Sequence, residues 1–80
     1  MKPIITKQRG NWTFGHIGPF RFEVKHFDEP SIFGIDGGRI SKLALQRKEQ
    51  TVCNYDRGWD VKPVDEETEI ALEILLQQYN

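Results

Sequence analysis

The segment from Phe20 to His26 alternates strictly between two kinds of side chain, and it constrains the fold more than any other stretch. Residues at every second position of a strand share one face, so one face here is largely apolar and the other is charged. The two sets are Phe20, Phe22, Val24 and His26, and Arg21, Glu23 and Lys25. Such alternation predicts a half-buried β-strand.

A second strand is predicted just before it, from Asn11 to Ile17, with Trp12, Phe14 and His16 on one face. Gly18-Pro19 separates the two segments and is a turn signal. The short connection predicts an antiparallel hairpin. The preceding residues 1–10 are mostly polar, and we expect a loosely ordered lead-in there, ahead of a single domain over residues 11–80.

The stretch from Phe33 to Leu45, FGIDGGRISKLAL, places three glycines within five residues before a further alternating segment. Glycine adopts positive φ without steric cost, so a sharp turn is predicted at the glycines. The apolar side chains just before it are expected to pack against the core; they are Ile32, Phe33 and Ile35.

A third strand is predicted from Arg39 to Arg47 and a fourth from Thr51 to about Tyr55. In the third strand, Ser41, Leu43 and Leu45 share a face. In the fourth, the pattern leaves two choices for the buried face, either Cys53 with Tyr55 or Val52 with Asn54.

The last predicted element is a helix that begins after Asp65 and continues to Tyr79. Aspartate is a favourable N-cap, and acidic residues in the first turn stabilise a helix N-terminus. The helix is apolar over most of its circumference, so it must be well covered. The predicted fold is therefore α+β, a four-stranded antiparallel sheet in the order ββββα with the helix packed across one face.

Eighty residues predict one domain with little room for a deep catalytic cleft. The single cysteine excludes an internal disulfide and a cysteine-based zinc site. The sequence shows no signal-peptide pattern and no apolar run of membrane-spanning length, so we expect a cytoplasmic protein, of either a cell or something living inside one, with no membrane attachment.

The net charge of −1 hides an asymmetry along the chain. Residues 1–27 carry five basic residues and one acid, whereas residues 63–80 carry five acids and no base. Two interpretations stay open: a solvated dipolar surface, or two charged faces meant for different partners.

No set of residues predicts catalysis, a metal site or a cofactor. His16 and His26 could face each other across the hairpin, but they lack a third ligand, and buried histidines with hydrogen bonds explain them as well. Cys53 lacks any nucleophile signature. The segment IDGGRIS precedes a strand rather than a helix and matches neither common phosphate-binding loop pattern. We therefore expect a protein that is not an enzyme.

The segment YDRGWD gathers residue types that are enriched at binding hot spots. Tyr55, Arg57, Trp59 and Asp60 are its candidate partner-binding residues. The competing interpretation is structural, with both rings closing one end of the core. A second candidate surface is the charged face of the sheet, with Arg21, Lys25 and Lys42, joined by Lys2, Lys7 and Arg9. A basic face with stacking aromatic residues would suit nucleic acid.

The segments FGIDGGRISKL and YDRGWD, followed by an amphipathic C-terminal helix, resemble a family of short uncharacterised proteins of Gram-positive bacteria, their phages and mobile elements. The resemblance covers Trp12 to Asn80 and brings no catalytic residues with it. It implies a small accessory protein, and such proteins often bind a host protein, including as inhibitors of CRISPR and other immune systems. The leading hypothesis is thus a host-protein-binding module of anti-defence type, and the alternative is a nucleic-acid-binding accessory protein that uses the basic sheet face. A homodimer is left open by the wide apolar face of the helix.

Overall fold

The computed structural model describes residues 1–80 as a six-stranded antiparallel sheet with one α-helix. The elements are β1 (Ile4–Arg9), β2 (Trp12–Ile17), β3 (Phe20–His26), a 3₁₀ turn (Ile35–Gly37), β4 (Ile40–Arg47), β5 (Gln50–Asp56), β6 (Trp59–Val61) and α1 (Glu66–Tyr79). The strand order in the sheet follows the chain from β1 to β6, so every strand pairs only with its chain neighbours. The α+β class, the antiparallel sheet and the C-terminal helix are confirmed.

The prediction of four strands was wrong, because the sheet has two further strands at its edges. Residues 1–10 were expected to be a loose lead-in, yet β1 pairs with β2, and Arg9 lies opposite Trp12. At the other edge, β6 pairs with β5 through Trp59 and Tyr55. All six residues of β1 are exposed. A strand that gains backbone hydrogen bonds without burying a face leaves no alternation of hydrophobicity in the sequence.

The core lies between α1 and one face of the sheet, which we call the covered face. Its buried apolar side chains come from β2 to β5, from the 3₁₀ turn and from α1: Ile17, Phe20, Phe22, Val24, Ile35, Ile40, Leu43, Leu45, Val52, Cys53, Tyr55, Ala71, Leu72, Leu75 and Tyr79. The alternation predicted for β3 and β4 is confirmed. In β5, Cys53 pairs with Leu45 and Thr51 with Gln46, so Val52 is an extra residue in the register and is buried as well.

The connection between β3 and β4 only partly follows the expectation. Ile35 is buried in the core, but Ile32 is 89% exposed and Phe33 56% exposed. Gly37 and Asp36 both have positive φ, of 69° and 52°, which produces the sharp turn predicted at the glycines. The two exposed apolar residues thus stand out from the surface instead of packing against the core.

The N-terminus of α1 is capped by Asp65 and is held against β4 by ion pairs with Arg47. The Asp65 carboxylate accepts hydrogen bonds from the Thr68 amide at 2.9 Å and from the Thr68 hydroxyl at 2.6 Å. Arg47 on β4 bridges to Asp65 at 2.6 Å and to Glu67 at 2.9 Å. Hydrogen bonds from Arg47 and then from Thr68 hold the pKa of Asp65 well below its usual range. None of the helical segments has the length and apolar character needed to cross a bilayer.

Candidate binding surface on the open face of the sheet

The sheet face opposite α1, which we call the open face, carries a regular array of side chains set by the strand register. Residues that pair across neighbouring strands point to the same face. Three rows result: Trp12, Lys25, Lys42 and Asp56; Phe14, Glu23, Ala44 and Asn54; and His16, Arg21 and Gln46. The predicted site residues Arg21, Lys25 and Lys42 therefore do lie together on one surface.

Trp12 and Phe14 form an aromatic pair on this face. Their ring centroids are 5.9 Å apart and the rings are inclined by only 17°. Both are half-buried, because they lie on the sheet surface without a covering layer. The Lys7 ammonium lies 5.8 Å from the Phe14 ring centroid, and the Lys25 ammonium lies 5.9 Å from that of Trp12. The pair is therefore flanked by two cations.

The charges of the open face are mostly positive. Strands β1 to β4 contribute five basic side chains and one acid, Glu23; the basic residues are Lys7, Arg9, Arg21, Lys25 and Lys42. The other acidic side chains of this face lie toward the β5–β6 edge, where Asp56 pairs with Lys42 at 3.8 Å. The acidic residues of α1 lie on the opposite side of the molecule, so the charge asymmetry of the sequence becomes an asymmetry of two faces.

Two shallow depressions lie beside Glu23 and Ala44. The larger, of about 270 Å³, is bordered by Phe14, Arg21 and Gln46, and the smaller, of about 150 Å³, by Trp12, Asn54 and Asp56. Ala44 has the smallest side chain in the central row, so the surface is recessed at this position. The Glu23 carboxylate forms no ion pair and no hydrogen bond with another side chain.

The YDRGWD residues do not converge on one surface. Tyr55 is buried, and its hydroxyl donates to the Phe33 carbonyl at 2.9 Å. Trp59 meets the Tyr55 ring edge-on at 5.1 Å and is 37% exposed. Arg57 has a φ of 57° at the tip of the β5–β6 turn, where its side chain lies 3.6 Å from Asp56.

Asp60 differs from its neighbours because its carboxylate accepts a hydrogen bond of 3.1 Å from the Asn54 side chain. Asn54 belongs to the central row of the open face. The four YDRGWD candidates therefore divide between the core, an exposed turn and the edge of the open face.

The two histidines lie on opposite faces of the sheet and form no pair. His26 is on the covered face, where its Nε2 lies 3.1 Å from the Thr13 hydroxyl and its ring is 4.9 Å from that of Tyr79. Burial lowers the pKa of His26, assisted by Arg39 and opposed by Asp28. His16 is exposed on the open face, opposite Arg21.

Cys53 is buried between α1 and the sheet. Its desolvation raises the pKa of the thiol to about 12, which keeps it protonated near neutral pH. No group of three histidine, cysteine, aspartate or glutamate side chains is close enough to hold a metal ion.

The aromatic pair and Glu23 were not predicted as site residues from the sequence. The signal that could have found them is the two-residue turn at Gly18-Pro19, which sets Ile17 opposite Phe20. Counting back from that pair places Phe14 beside Glu23 and Trp12 beside Lys25. The hairpin alone thus contained the link between the aromatic and the basic residues.

These features define a small α+β domain with one face of its antiparallel sheet covered by a helix and the other open, aromatic and basic. The chain belongs to the family described as a domain of unknown function (DUF7678), whose family model matches residues 11–80. No curated protein and no solved structure matches the chain.

Proposed function

We propose that the open face binds single-stranded nucleic acid. The observation that carries the proposal is the parallel Trp12–Phe14 pair, flanked by the Lys7 and Lys25 ammonium groups on a basic sheet surface. Sequence-tolerant binding of single strands combines aromatic rings, on which bases stack, with cations that follow the phosphates. Both components are present on this face within neighbouring rows.

The expected energetics follow from those two components. Base stacking on an aromatic side chain contributes about 1–3 kcal/mol per base. Each phosphate contact with a basic side chain releases counterions, so affinity falls as salt is added. Neither contribution requires the acidic helix, which faces away from the bound strand.

The test uses labelled single-stranded DNA and RNA of about 12 nucleotides, within the range of known single-strand site sizes. We expect binding that weakens strongly between about 50 and 200 mM salt. Replacing Trp12 with alanine should weaken binding by about tenfold, as expected for the loss of one stacking contact.

The matched control for this substitution is Trp59→Phe, which changes the other tryptophan, away from the open face, and should leave affinity unchanged. Lys25→Ala should reduce the salt dependence, whereas Lys48→Ala, in the β4–β5 turn, should not. Absence of binding at low salt, or equal binding by the Trp12→Ala variant, would contradict the proposal.

A second candidate function is binding of a host protein through a different surface, which we call the loop patch. It consists of Ile32, Phe33 and Trp59, which are 89%, 56% and 37% exposed. Tyr55 connects its two parts, because its hydroxyl bonds to the Phe33 carbonyl and its ring meets Trp59. Exposed large apolar residues grouped on a small domain are typical of partner-binding sites, and Arg57 adds a charge at the margin.

In this second role the partner would be a protein of the bacterial cytoplasm, and a host defence protein fits the phage and mobile-element context that the sequence pattern implies. The test is capture of the tagged protein from a host lysate with and without nuclease. One abundant protein retained after nuclease and lost in an Ile32→Ser/Phe33→Ser variant would favour the loop patch.

Two other results of the capture would separate the candidates. Recovery that disappears with nuclease and with Trp12→Ala favours the open face. An empty capture, combined with dimerisation on a sizing column that the Ile32→Ser/Phe33→Ser variant abolishes, would mean that a second copy of the chain occupies the loop patch.

A further inference from the structure

We propose that Glu23 makes the open face selective for guanine. This inference rests on the proposed binding of single-stranded nucleic acid, and it names the base that the surface prefers. Glu23 is the only acid that β1 to β4 contribute to the open face. It stands directly between Phe14 and Ala44 in the central row.

Glu23 is unfavourably placed if the open face binds only the phosphate backbone. A carboxylate repels a phosphate, and this one is exposed and free of any ion pair despite the basic side chains around it. Phe14 and Glu23 are cross-strand neighbours, whose Cβ atoms are typically about 5 Å apart. A base that stacks against Phe14 therefore presents its edge to Glu23.

Guanine is the base whose edge fits a carboxylate. Its Watson–Crick edge offers two adjacent donors, N1–H and the N2 amino group, which match the two carboxylate oxygens in a bidentate arrangement. On the same edge, adenine and cytosine each place an acceptor nitrogen beside their amino group. Thymine and uracil place carbonyl oxygens on both sides of their single donor. Those acceptors would face a negative charge.

The space beside Glu23 suits a single base. The depression bordered by Phe14, Glu23 and Ala44 has a volume of about 270 Å³, just below the roughly 300–1,000 Å³ of pockets that hold drug-sized ligands. Ala44 keeps this depression open, because a larger side chain in the central row would fill it. Ala44→Leu should therefore reduce the preference for guanine, as a change at Glu23 does.

The experiment compares oligothymidine of about 12 nucleotides with the same strand carrying one central guanine, inosine, adenine or cytosine. A single guanine avoids the four-stranded structures that guanine runs form. We expect the wild-type protein to prefer the guanine strand by about tenfold, the discrimination typical of a bidentate pair. Inosine, which keeps N1–H but lacks the amino group, should lose most of that preference. The uridine-based RNA series should show the same order.

Substitution of Glu23 should lower the affinity for the guanine strand relative to that for plain oligothymidine. In Glu23→Ala, the preference for guanine should disappear, while binding of plain oligothymidine should stay equal or strengthen, because a negative charge has left a phosphate-binding face. Glu73→Ala, which removes a carboxylate from α1, should leave both affinities as they are. A variant that failed to fold would bind every oligonucleotide more weakly, so unfolding cannot produce this pattern.

The outcomes separate this inference from the proposed function. If the wild-type protein binds oligothymidine but does not prefer guanine, or if Glu23→Ala keeps the preference, selectivity by Glu23 is wrong and single-strand binding stands. If no strand binds at low salt, both proposals fail.

Discussion

The side-chain oxygen Oδ1 of Asn80 accepts a hydrogen bond of 2.9 Å from the backbone amide of Ile40, at the start of β4. The same side chain donates through Nδ2 to the Ile35 carbonyl at 3.0 Å. A Cβ atom at Gly38 would overlap the Asn80 side chain, so this position of the glycine turn needs a residue without one. One amide group thus joins the end of α1, the 3₁₀ turn and the sheet.

Replacing Asn80 with alanine should destabilise the fold by about 1–3 kcal/mol, because two partly buried backbone groups lose their partner. Asn80→Asp keeps the acceptor for Ile40 but sets a carboxylate oxygen against the Ile35 carbonyl and a negative charge at the C-terminus of α1, so its cost should be at least as large. Urea unfolding of the three proteins measures the difference. An alanine variant as stable as the wild type would show that these hydrogen bonds contribute nothing net.

Acid should weaken the connection between α1 and β4. The pKa of Asp65 is lowered in the folded state, so the stability it contributes is fully present above the ordinary value of 3.8 and is lost as pH falls toward the lowered value. Asp65→Asn keeps a capping oxygen but cannot ionise. The variant should be less stable than the wild type near neutral pH, and the gap should close below the ordinary pKa.

Urea midpoints measured from neutral to acidic pH check this expectation. Glu73→Gln, which neutralises a carboxylate elsewhere on the helix, is the control for a change in net charge. A gap between Asp65→Asn and the wild type that does not change with pH would mean that ionisation of Asp65 adds no stability.

The β4–β5 turn offers a stabilising substitution. Lys48 and Glu49 have φ values of 51° and 65°, the left-handed pair that a two-residue hairpin turn requires. Glycine takes this conformation without the steric cost of a Cβ atom, so Glu49→Gly should raise the free energy of unfolding by about 0.5–1 kcal/mol. Glu49→Ala removes the same charge but keeps the Cβ, and it should not stabilise. Thermal unfolding of both variants distinguishes relief of backbone strain from a charge effect.

The thiol of Cys53 should be unreactive in the folded protein. Burial raises the pKa of its thiol to about 12, and the thiolate is the reactive species. We expect a disulfide reagent to modify the native protein only as fast as it unfolds, and the urea-unfolded protein at once. Immediate modification of the native protein would mean that the covered face opens readily beside Cys53.

The interior strands were predictable because each buries one face. In β3, Phe20, Phe22 and Val24 are buried while Arg21 and Glu23 are exposed. In β4, Leu43 and Leu45 are buried while Lys42, Ala44 and Gln46 are half-buried. Edge strands escape this logic: the polar β1 is held by hydrogen bonds to β2, and β6 spans only three residues. Asp65 as the N-cap of α1 was also predictable, because its chemistry is local.

The candidate surface was harder to predict because it depends on register between strands. The sequence showed basic residues on one face of the sheet, and the structure confirms that Arg21, Lys25 and Lys42 share it. It did not show which role each ring plays: Tyr55 closes the core, whereas Trp12 and Phe14 lie on the open face. Aromatic residues serve both in the core and on the open face, so residue type does not separate the two roles. Only the pairing of the strands does.

The order of the strands along the chain has a kinetic consequence. Four of the five connections in the sheet are two residues long, and the exception is the segment between β3 and β4. The chain therefore consists of two three-stranded halves, each able to close through local hairpins within microseconds. The slow step in folding should be the pairing of β3 with β4, together with the packing of α1 across these two strands. If the Asn80 contacts form after that event, Asn80→Ala will speed unfolding and leave the refolding rate unchanged in stopped-flow measurements.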